Sequence, residues 1–170
     1  MRILILPFGK LGATKKAGEE LAMSLNGDNL QIKCINKIVK PINYLDYDIV
    51  AFGTNIRYGK VNKELKKQLK IFKNSIKTLK NGEKTPKIFT FIVCGALNGE
   101  KYEAKVSKLT GGKSVFVGGE LNSENATRWE RAVINSMINI RGKRNLPLPK
   151  LDTDKIKELA NEIVNCNNWK

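Results

Sequence analysis

The chain contains no histidine, and this absence excludes several kinds of active site. Histidine is the commonest general base and the commonest metal ligand, and it activates the nucleophile in Ser-His and Cys-His sites. We therefore expect no hydrolase of those types and no metal centre. If the protein is an enzyme, we expect a bound cofactor to carry the chemistry.

Cysteine is scarce, and long apolar runs are missing. The three cysteines, Cys34, Cys94 and Cys166, lie far apart, and no CxxC pair is present that could bind zinc or exchange disulfides. No stretch approaches the roughly 20 apolar residues that a transmembrane helix needs. The first apolar run ends at Pro7, which favours a strand over a signal peptide. These absences predict a protein of the reducing cytoplasm.

Acidic residues are few compared with basic ones. The chain has 31 Lys and Arg residues against 16 Asp and Glu residues, a formal net charge of +15. This surplus favours encounters with acidic lipids, phosphates, carboxylated substrates or nucleic acid. Nucleic acid is the weakest of these candidates, because no nucleic-acid-binding motif accompanies the charge. The length of 170 residues fits one domain, residues 1–170.

Short apolar runs alternate with segments of helical periodicity along the chain. The patterns predict strands at residues 2–6, 30–35, 47–52, 88–94 and 114–117, and helices around residues 17–25, at 61–80, 100–109 and 124–140, and from 152 or 153 onward. Five strands alternating with helices predict an α/β fold in which helices cover both faces of a doubly wound parallel sheet.

Three predicted loops meet at the edge of such a sheet where doubly wound proteins bind their ligands. The first, residues 7–14, contains Gly9, Lys10, Leu11, Gly12, Ala13 and Thr14. The second, residues 53–59, contains Thr54, Asn55, Ile56, Arg57, Tyr58 and Gly59. The third, residues 95–99, contains Gly95, Ala96 and Leu97, with Tyr102 just beyond. For any one loop a tight turn is the simpler interpretation, but three at one edge favour a ligand site.

The loops suit different parts of a ligand. Free backbone N–H groups and the positive end of a helix favour a phosphate at the first loop. In the second loop, Gly53 and Gly59 would let a flat ring approach the backbone, with Tyr58 stacked on the ring and Asn55 bonded to its edge. The three loops together therefore predict a site for a phosphorylated planar ligand.

The segment of residues 48–60 resembles flavodoxin-domain proteins related to menaquinone-dependent protoporphyrinogen dehydrogenase, in which an Ile-Arg-Tyr-Gly stretch, here Ile56 to Gly59, follows the third strand. The chain is similar to that family at three further places, which are the spacing of Gly12 and Thr14 from the start, residues 118–121 and residues 128–131. The resemblance implies a strand order of 2-1-3-4-5. It implies FMN with its phosphate on residues 9–14 and its isoalloxazine between the second and third loops, where the loop residues named above and Tyr102 would contact it. It also implies an FMN-dependent oxidoreductase that moves electrons or hydride between an organic substrate and a quinone or other acceptor.

A second hypothesis is a flavin-free binding module of the same fold. Phe8 and Gly9 stand where flavodoxins usually carry hydroxyl side chains, so Thr14 supplies the loop's one clear hydroxyl. Such a module would hold an anionic partner on the basic side of the helix at 61–80, which carries Lys63, Lys66, Lys67, Lys70, Lys73, Lys77 and Lys80. This side is interpreted either as a solvated surface or as a surface that touches anionic lipid at the inner face of a membrane.

The helix at 124–140 has Trp129, Val133 and Met137 on one side. We expect these side chains in the core, and the alternative is a partly exposed patch for a quinone or a membrane. Glu120 and Glu124 are candidates to move a proton near a flavin. The sequence leaves the catalytic residues, the substrate and the oligomeric state open.

Overall fold

The computed structural model describes residues 1–27, 29–80, 83–95, 99–121, 123 and 125–166. Its strands are β1 (Arg2–Phe8), β2 (Gln31–Cys34), β3 (Ile49–Arg57), β4 (Lys60–Val61), β5 (Lys87–Val93) and β6 (Lys113–Phe116). Its helices are α1 (Ala13–Ser24), α2 (Lys63–Ile76), α3 (Glu103–Thr110), α4 (Arg128–Lys143) and α5 (Thr153–Asn165), with short 3₁₀ turns at Tyr44–Asp46 and Gly99–Tyr102.

The strands form one sheet in the order β2-β1-β3-β5-β6. All neighbours along this path run parallel, and β4 pairs antiparallel with the end of β3. Counting the parallel strands alone, the predicted five-stranded sheet with order 2-1-3-4-5 is confirmed. The sequence patterns did not predict β4, since two residues carry no periodicity.

Successive residues of β1 point to opposite faces of the sheet, and each face has its own core. Ile3 and Ile5 pack in the core that contains α1 and α5 residues, including Leu21 and Leu159. Leu4 and Leu6 pack in the core that contains α2 residues such as Leu65 and Phe72, together with Val106 of α3. Helices therefore cover both faces, as predicted. No helix among the described residues is both long enough and apolar enough to cross a membrane.

Gly53 lies inside β3, and the predicted loop at residues 53–59 is therefore wrong in its first part. A Cβ atom at Gly53 would lie 2.3 Å from Cζ of Phe91 and 3.0 Å from Cα of Pro7. The glycine thus leaves room for a ring from the neighbouring strand rather than making a turn. The turn itself comes later, at Tyr58 and Gly59, whose φ angles are 50° and 71°. Two central residues with positive φ are typical of the type I′ turn of a tight β-hairpin.

Helix α4 contributes little to either core. Trp129 is 71% exposed, Val133 and Met137 are half-buried, and in the helix only Ile134 and Arg141 are buried. The prediction that Trp129, Val133 and Met137 belong to the core was wrong. An amphipathic pattern predicts that one side of a helix is covered but not what covers it, and here α4 lies over a cavity instead of the sheet.

Candidate functional site

A cavity of about 330 Å³ lies where β1, β3 and β5 end. Its walls come from the first loop and α1, the β3–β4 hairpin, the end of β5 with Tyr102, residues 120–121, and α4. This is the sheet edge that the three predicted loops share, and its volume lies at the lower end of the range for small-molecule sites. The position of a ligand site at this edge therefore agrees with the topology of a doubly wound sheet.

The start of α1 forms one wall of the cavity. Gly12, with φ of 92°, precedes the helix, no side-chain hydrogen bond caps its first turn, and no acidic residue lies in that turn. Thr14 is 2% exposed, lines the cavity and makes no side-chain hydrogen bond to the described residues. A Cβ at Gly9 would lie 2.3 Å from Oγ1 of Thr14, so only glycine allows this approach. The helix end thus keeps backbone donors and the positive dipole available for an anion.

The β3–β4 hairpin forms a second wall. Asn55, Ile56, Arg57, Tyr58 and Gly59 all line the cavity. Nδ2 of Asn62 donates to Oδ1 of Asn55 at 2.8 Å and to the carbonyl of Phe8 at 3.3 Å. The Oδ1 atom of Asn62 accepts from the N–H of Glu64 at 2.8 Å and caps α2. One asparagine therefore ties the hairpin to β1 and to α2.

The third wall joins the end of β5 to residues 118–121. The N–H of Cys94 donates to the carbonyl of Gly118 at 2.9 Å, and a Cβ at Gly119 would lie 2.0 Å from the carbonyl oxygen of Cys94. Gly95 meets Leu121 in the same way, since a Cβ there would lie 2.9 Å from Cδ2 of Leu121. These close approaches, one to backbone and one to a side chain, bring residues 120–121 to the cavity.

Glu130 carries the strongest electrostatic contacts of the site. Its Oε1 accepts from Nη2 of Arg57 at 2.6 Å and from Nζ of Lys10 at 3.1 Å, and its Oε2 accepts from the N–H of Thr127 at 2.7 Å. The N–H of Thr127 and the two cations lower the pKa of Glu130 from 4.5 to about 2. The carboxylate is therefore ionised at any physiological pH and fixes the start of α4 to the other walls.

A second ion pair lies nearby, with Nζ of Lys16 at 3.0 Å from Oε2 of Glu120. Lys10 in the first loop and Lys16 in α1 are both paired with carboxylates at the cavity wall. Among the described residues, no group of three or more His, Cys, Asp or Glu side chains could hold a metal ion.

Most of the predicted site residues meet at the cavity. Its lining includes Leu11, Ala13, Thr14, Asn55, Ile56, Arg57, Tyr58, Gly59, Gly95 and Tyr102. Gly9, Lys10 and Gly12 belong to the adjoining loop but not to the lining. Thr54 is completely buried in β3, where its hydroxyl donates to the carbonyl of Asn55. Ala96 and Leu97, like Glu124, lie outside the described residues.

Sequence reasoning missed Glu130, Ile134 and Cys94, and it placed Val133 and Met137 at a ligand only as the alternative to a core position. Glu130, Val133, Ile134 and Met137 all line the cavity. One signal was available: Thr127 and Glu130 form a capping box, a motif that can be read from the spacing of Thr and Glu. This motif would have located the start of α4. It would not have shown that Arg57 and Lys10 pair with the carboxylate of Glu130.

The flavodoxin domain family matches residues 4–146. Oxidised Flavodoxin 1 from Bacillus cereus is similar in structure, with a TM-score of 0.54, 13% sequence identity, and coverage of 97% of this chain and 98% of that one. A flavodoxin from the domain Archaea has a TM-score of 0.50 and 14% identity, over 84% of this chain and 98% of that one. No curated protein matches the chain. Because the family match spans most of the sequence, the protein belongs to the flavodoxin domain family.

Proposed function

We propose that the protein binds FMN at the carboxyl edge of the sheet and acts as an oxidoreductase between an organic substrate and a quinone or another acceptor. The observation that carries this proposal is the cavity itself, whose lining includes both the uncapped start of α1 and the Tyr58–Gly59 turn. Bound FMN would supply a ring that accepts and releases electrons or hydride. The protein's residues would bind that ring, orient it and exclude water.

The phosphate-binding role falls to the first turn of α1. Its backbone N–H groups and the hydroxyl of Thr14 are donors, and no carboxylate in that turn repels an anion. Lys15 is exposed and pairs with Glu19 at 3.6 Å, so it adds positive charge without closing the site. A helix N-terminus of this kind suits a phosphate monoester because the dipole and the donors act together.

The ring-binding role falls to the lining contributed by the other elements. Val93, Leu121, Ile134 and Met137 supply apolar surface, which suits a flat heterocycle. Tyr102 reaches the hairpin, since a Cβ at Gly59 would lie 3.8 Å from its hydroxyl oxygen. Asn55 uses Oδ1 to accept from Asn62, which leaves its amide NH₂ for the polar edge of a ring.

We also propose that the substrate resembles that of protoporphyrinogen dehydrogenases. The Ile56-to-Gly59 motif supports this finer proposal. The resemblance to that family rests on this motif, and its last two residues form the turn at the cavity. The net charge of +15 supports a substrate or surface that is acidic. A carrier that meets basic partner proteins would be expected to have the opposite charge.

FMN binding tests the proposal directly. We expect the purified protein, given excess FMN and then desalted, to retain about one flavin per chain, seen by its visible absorption. Riboflavin, which lacks the phosphate, should bind at least about tenfold more weakly, since hydrogen bonds to a charged group are worth about 1.5–3 kcal/mol. A desalted protein without flavin absorption would refute the proposal.

The flavin-free binding module remains a second candidate because one structural observation favours it. Lys63, Lys66, Lys70, Lys77 and Lys80 are exposed on α2 and its C-terminal extension, and their side chains have no partner among the described residues. We propose that this lysine face touches an anionic membrane from the cytoplasmic side, where each lysine contributes about 1 kcal/mol.

Vesicle binding tests the second candidate. The lysine face predicts binding to phosphatidylserine vesicles that weakens steeply with added salt and is absent for phosphatidylcholine. The variant Lys66→Gln/Lys70→Gln should bind these vesicles more weakly than Lys105→Gln/Lys108→Gln, which removes two exposed lysines from α3 instead. Equal binding by the two variants would exclude α2 as the docking surface.

A further inference from the structure

A second cavity, of about 550 Å³, lies beside the first and is more open to solvent. Its lining comes from the β3–β4 hairpin, the start of α2 and the start of α4. The two cavities share Asn55, Arg57, Tyr58 and Glu130 as a common wall. We call the second cavity the hairpin cleft.

Two exposed aromatic side chains line the hairpin cleft. Tyr58 is 68% exposed and Trp129 is 71% exposed. Tyr58 also holds a positive φ of 50°, which is unfavourable for an aromatic residue. Neither ring contributes to the two cores, so packing does not account for them. A pair of exposed rings in one cleft is suited to stacking on a planar ligand.

The charge of the cleft is positive. Lys60 and Lys63 line it, are exposed, and make no side-chain hydrogen bond or ion pair with the described residues. Glu130 is the acidic residue of the lining, and its charge is already neutralised by Arg57 and Lys10. The two lysines are therefore available to an anionic group on a ligand that stacks on the rings.

We propose that the hairpin cleft binds a planar aromatic molecule that carries a carboxylate, with Tyr58 and Trp129 against its rings and Lys60 and Lys63 against its charge. This proposal rests on the proposed oxidoreductase function and assigns the cleft as the subsite for the organic substrate. The shared wall brings such a substrate next to the cavity proposed for FMN. A neutral quinone would use the rings but would form no ion pair with the lysines.

Two probes of the same ring size test the assignment. 1-Pyrenecarboxylate is anionic and 1-pyrenemethanol is neutral, and the binding of each is followed by its fluorescence anisotropy. We expect the wild-type protein to bind the carboxylate several-fold more tightly than the alcohol. Trp129→Ala should weaken both probes by about tenfold, because stacking on one aromatic residue is worth about 1–3 kcal/mol.

A double variant and a matched control test the role of Lys60 and Lys63. Lys60→Gln/Lys63→Gln should weaken binding of the carboxylate several-fold and leave the alcohol unchanged, whereas Lys105→Gln/Lys108→Gln, with the same change in net charge, should affect neither probe. If Trp129→Ala and Lys60→Gln/Lys63→Gln both bind the carboxylate like the wild type, the cleft is not the site.

Each titration is carried out on the FMN-loaded and on the flavin-free protein, with retained FMN measured by absorption. A protein that binds the carboxylate probe through these residues but retains no FMN would overturn the proposed function and spare the cleft as an aromatic-anion site. A protein that retains FMN but shows no effect of the variants would overturn the cleft alone.

Discussion

Arg57 donates from Nη2 to Oε1 of Glu130 at 2.6 Å, and this ion pair joins the end of β3 to the first turn of α4. The two residues are 73 positions apart in the chain. Lys10 adds a second cation from the first loop at 3.1 Å. Since Ile134 is the only buried apolar residue of α4, the carboxylate is a principal attachment of this helix to the rest of the domain.

Replacing the carboxylate by an amide tests that attachment. Glu130→Gln keeps a side chain that can still accept from the N–H of Thr127 but loses both ion pairs. We expect amide hydrogen exchange to become several-fold faster in α4 and to stay unchanged in the sheet. Glu162→Gln, which breaks the 2.6 Å pair between Glu162 of α5 and Lys113 of β6, is the control and should leave α4 protected. Unchanged exchange in α4 of Glu130→Gln would show that the ion pairs do not hold the helix.

The same carboxylate predicts a dependence of stability on pH. Its pKa is lowered from 4.5 to about 2, mainly by the N–H of Thr127 and then by Arg57 and Lys10. A lowered pKa in the folded state gives a stabilisation that is complete above about pH 4.5 and disappears as the pH falls through about 2. The difference in Tm between wild type and Glu130→Gln should therefore be constant above pH 4.5 and shrink below it.

Comparing the Tm of the two proteins at each pH cancels the contribution of the other acidic groups to the pH dependence. Asp48, for example, also has a lowered pKa, because it accepts from the N–H of Arg2 and pairs with Lys84. Its contribution is the same in both proteins and cancels. A difference in Tm that stays constant down to pH 2 would contradict the assigned pKa of Glu130.

Gly53→Ala is expected to destabilise the fold by about 1–3 kcal/mol, the usual cost of forcing an extra carbon into a packed core. The new Cβ would lie 2.3 Å from the Phe91 ring, which is 1% exposed and cannot move outward. Urea unfolding gives the free energy. Gly142→Ala, in α4, meets no atom within 4 Å and should be neutral or stabilising. Adding Phe91→Leu to Gly53→Ala should cost less than the sum of the two single changes.

Tyr58→Asn should raise the free energy of unfolding and weaken the binding of FMN. Asn followed by Gly is the preferred pair for a turn with two positive φ angles, and Tyr58 and Gly59 hold such angles. We expect a gain of up to about 1 kcal/mol in the free energy of unfolding. Loss of the ring from the cavity wall should weaken FMN binding several-fold.

Tyr58→Phe is the matched variant for this test, because it keeps both the ring and the unfavourable φ. It should bind FMN and unfold like the wild type. If Tyr58→Asn bound FMN as tightly as Tyr58→Phe, the ring would have no part in the flavin site.

Thr14→Val removes one hydroxyl at the start of α1 with little change of shape. The side chain is 2% exposed and makes no side-chain hydrogen bond to the described residues, so the free energy of unfolding should change little. FMN should bind about tenfold more weakly, as expected for a lost hydrogen bond to a charged phosphate. Calorimetric titration with FMN and with riboflavin checks this. An equal loss for both ligands would mean that the hydroxyl does not meet the phosphate.

Several features of the domain were predictable because they depend on local pattern. Residues 49–52 are apolar throughout and form the buried centre of β3, and the lysines of residues 63–80 alternate with an apolar stripe that α2 buries. Parallel strands with helical connections have few possible arrangements, so the sheet and the site's edge followed from those patterns. Thr14, Asn55 and Tyr58 could be placed near the site for the same reason.

Other features could not be predicted, because they depend on residues far apart in the chain. Gly53 suggested a turn, but the Phe91 ring takes the space that a side chain would need. Trp129 suggested a core position, but α4 lies over the cavity. The sequence alone determined the sheet, its flanking helices and the edge that carries the site, since these follow from short-range periodicity. Only the tertiary structure decided that Glu130 meets Arg57 and that α4 closes one wall, because contacts across 73 residues leave no local pattern.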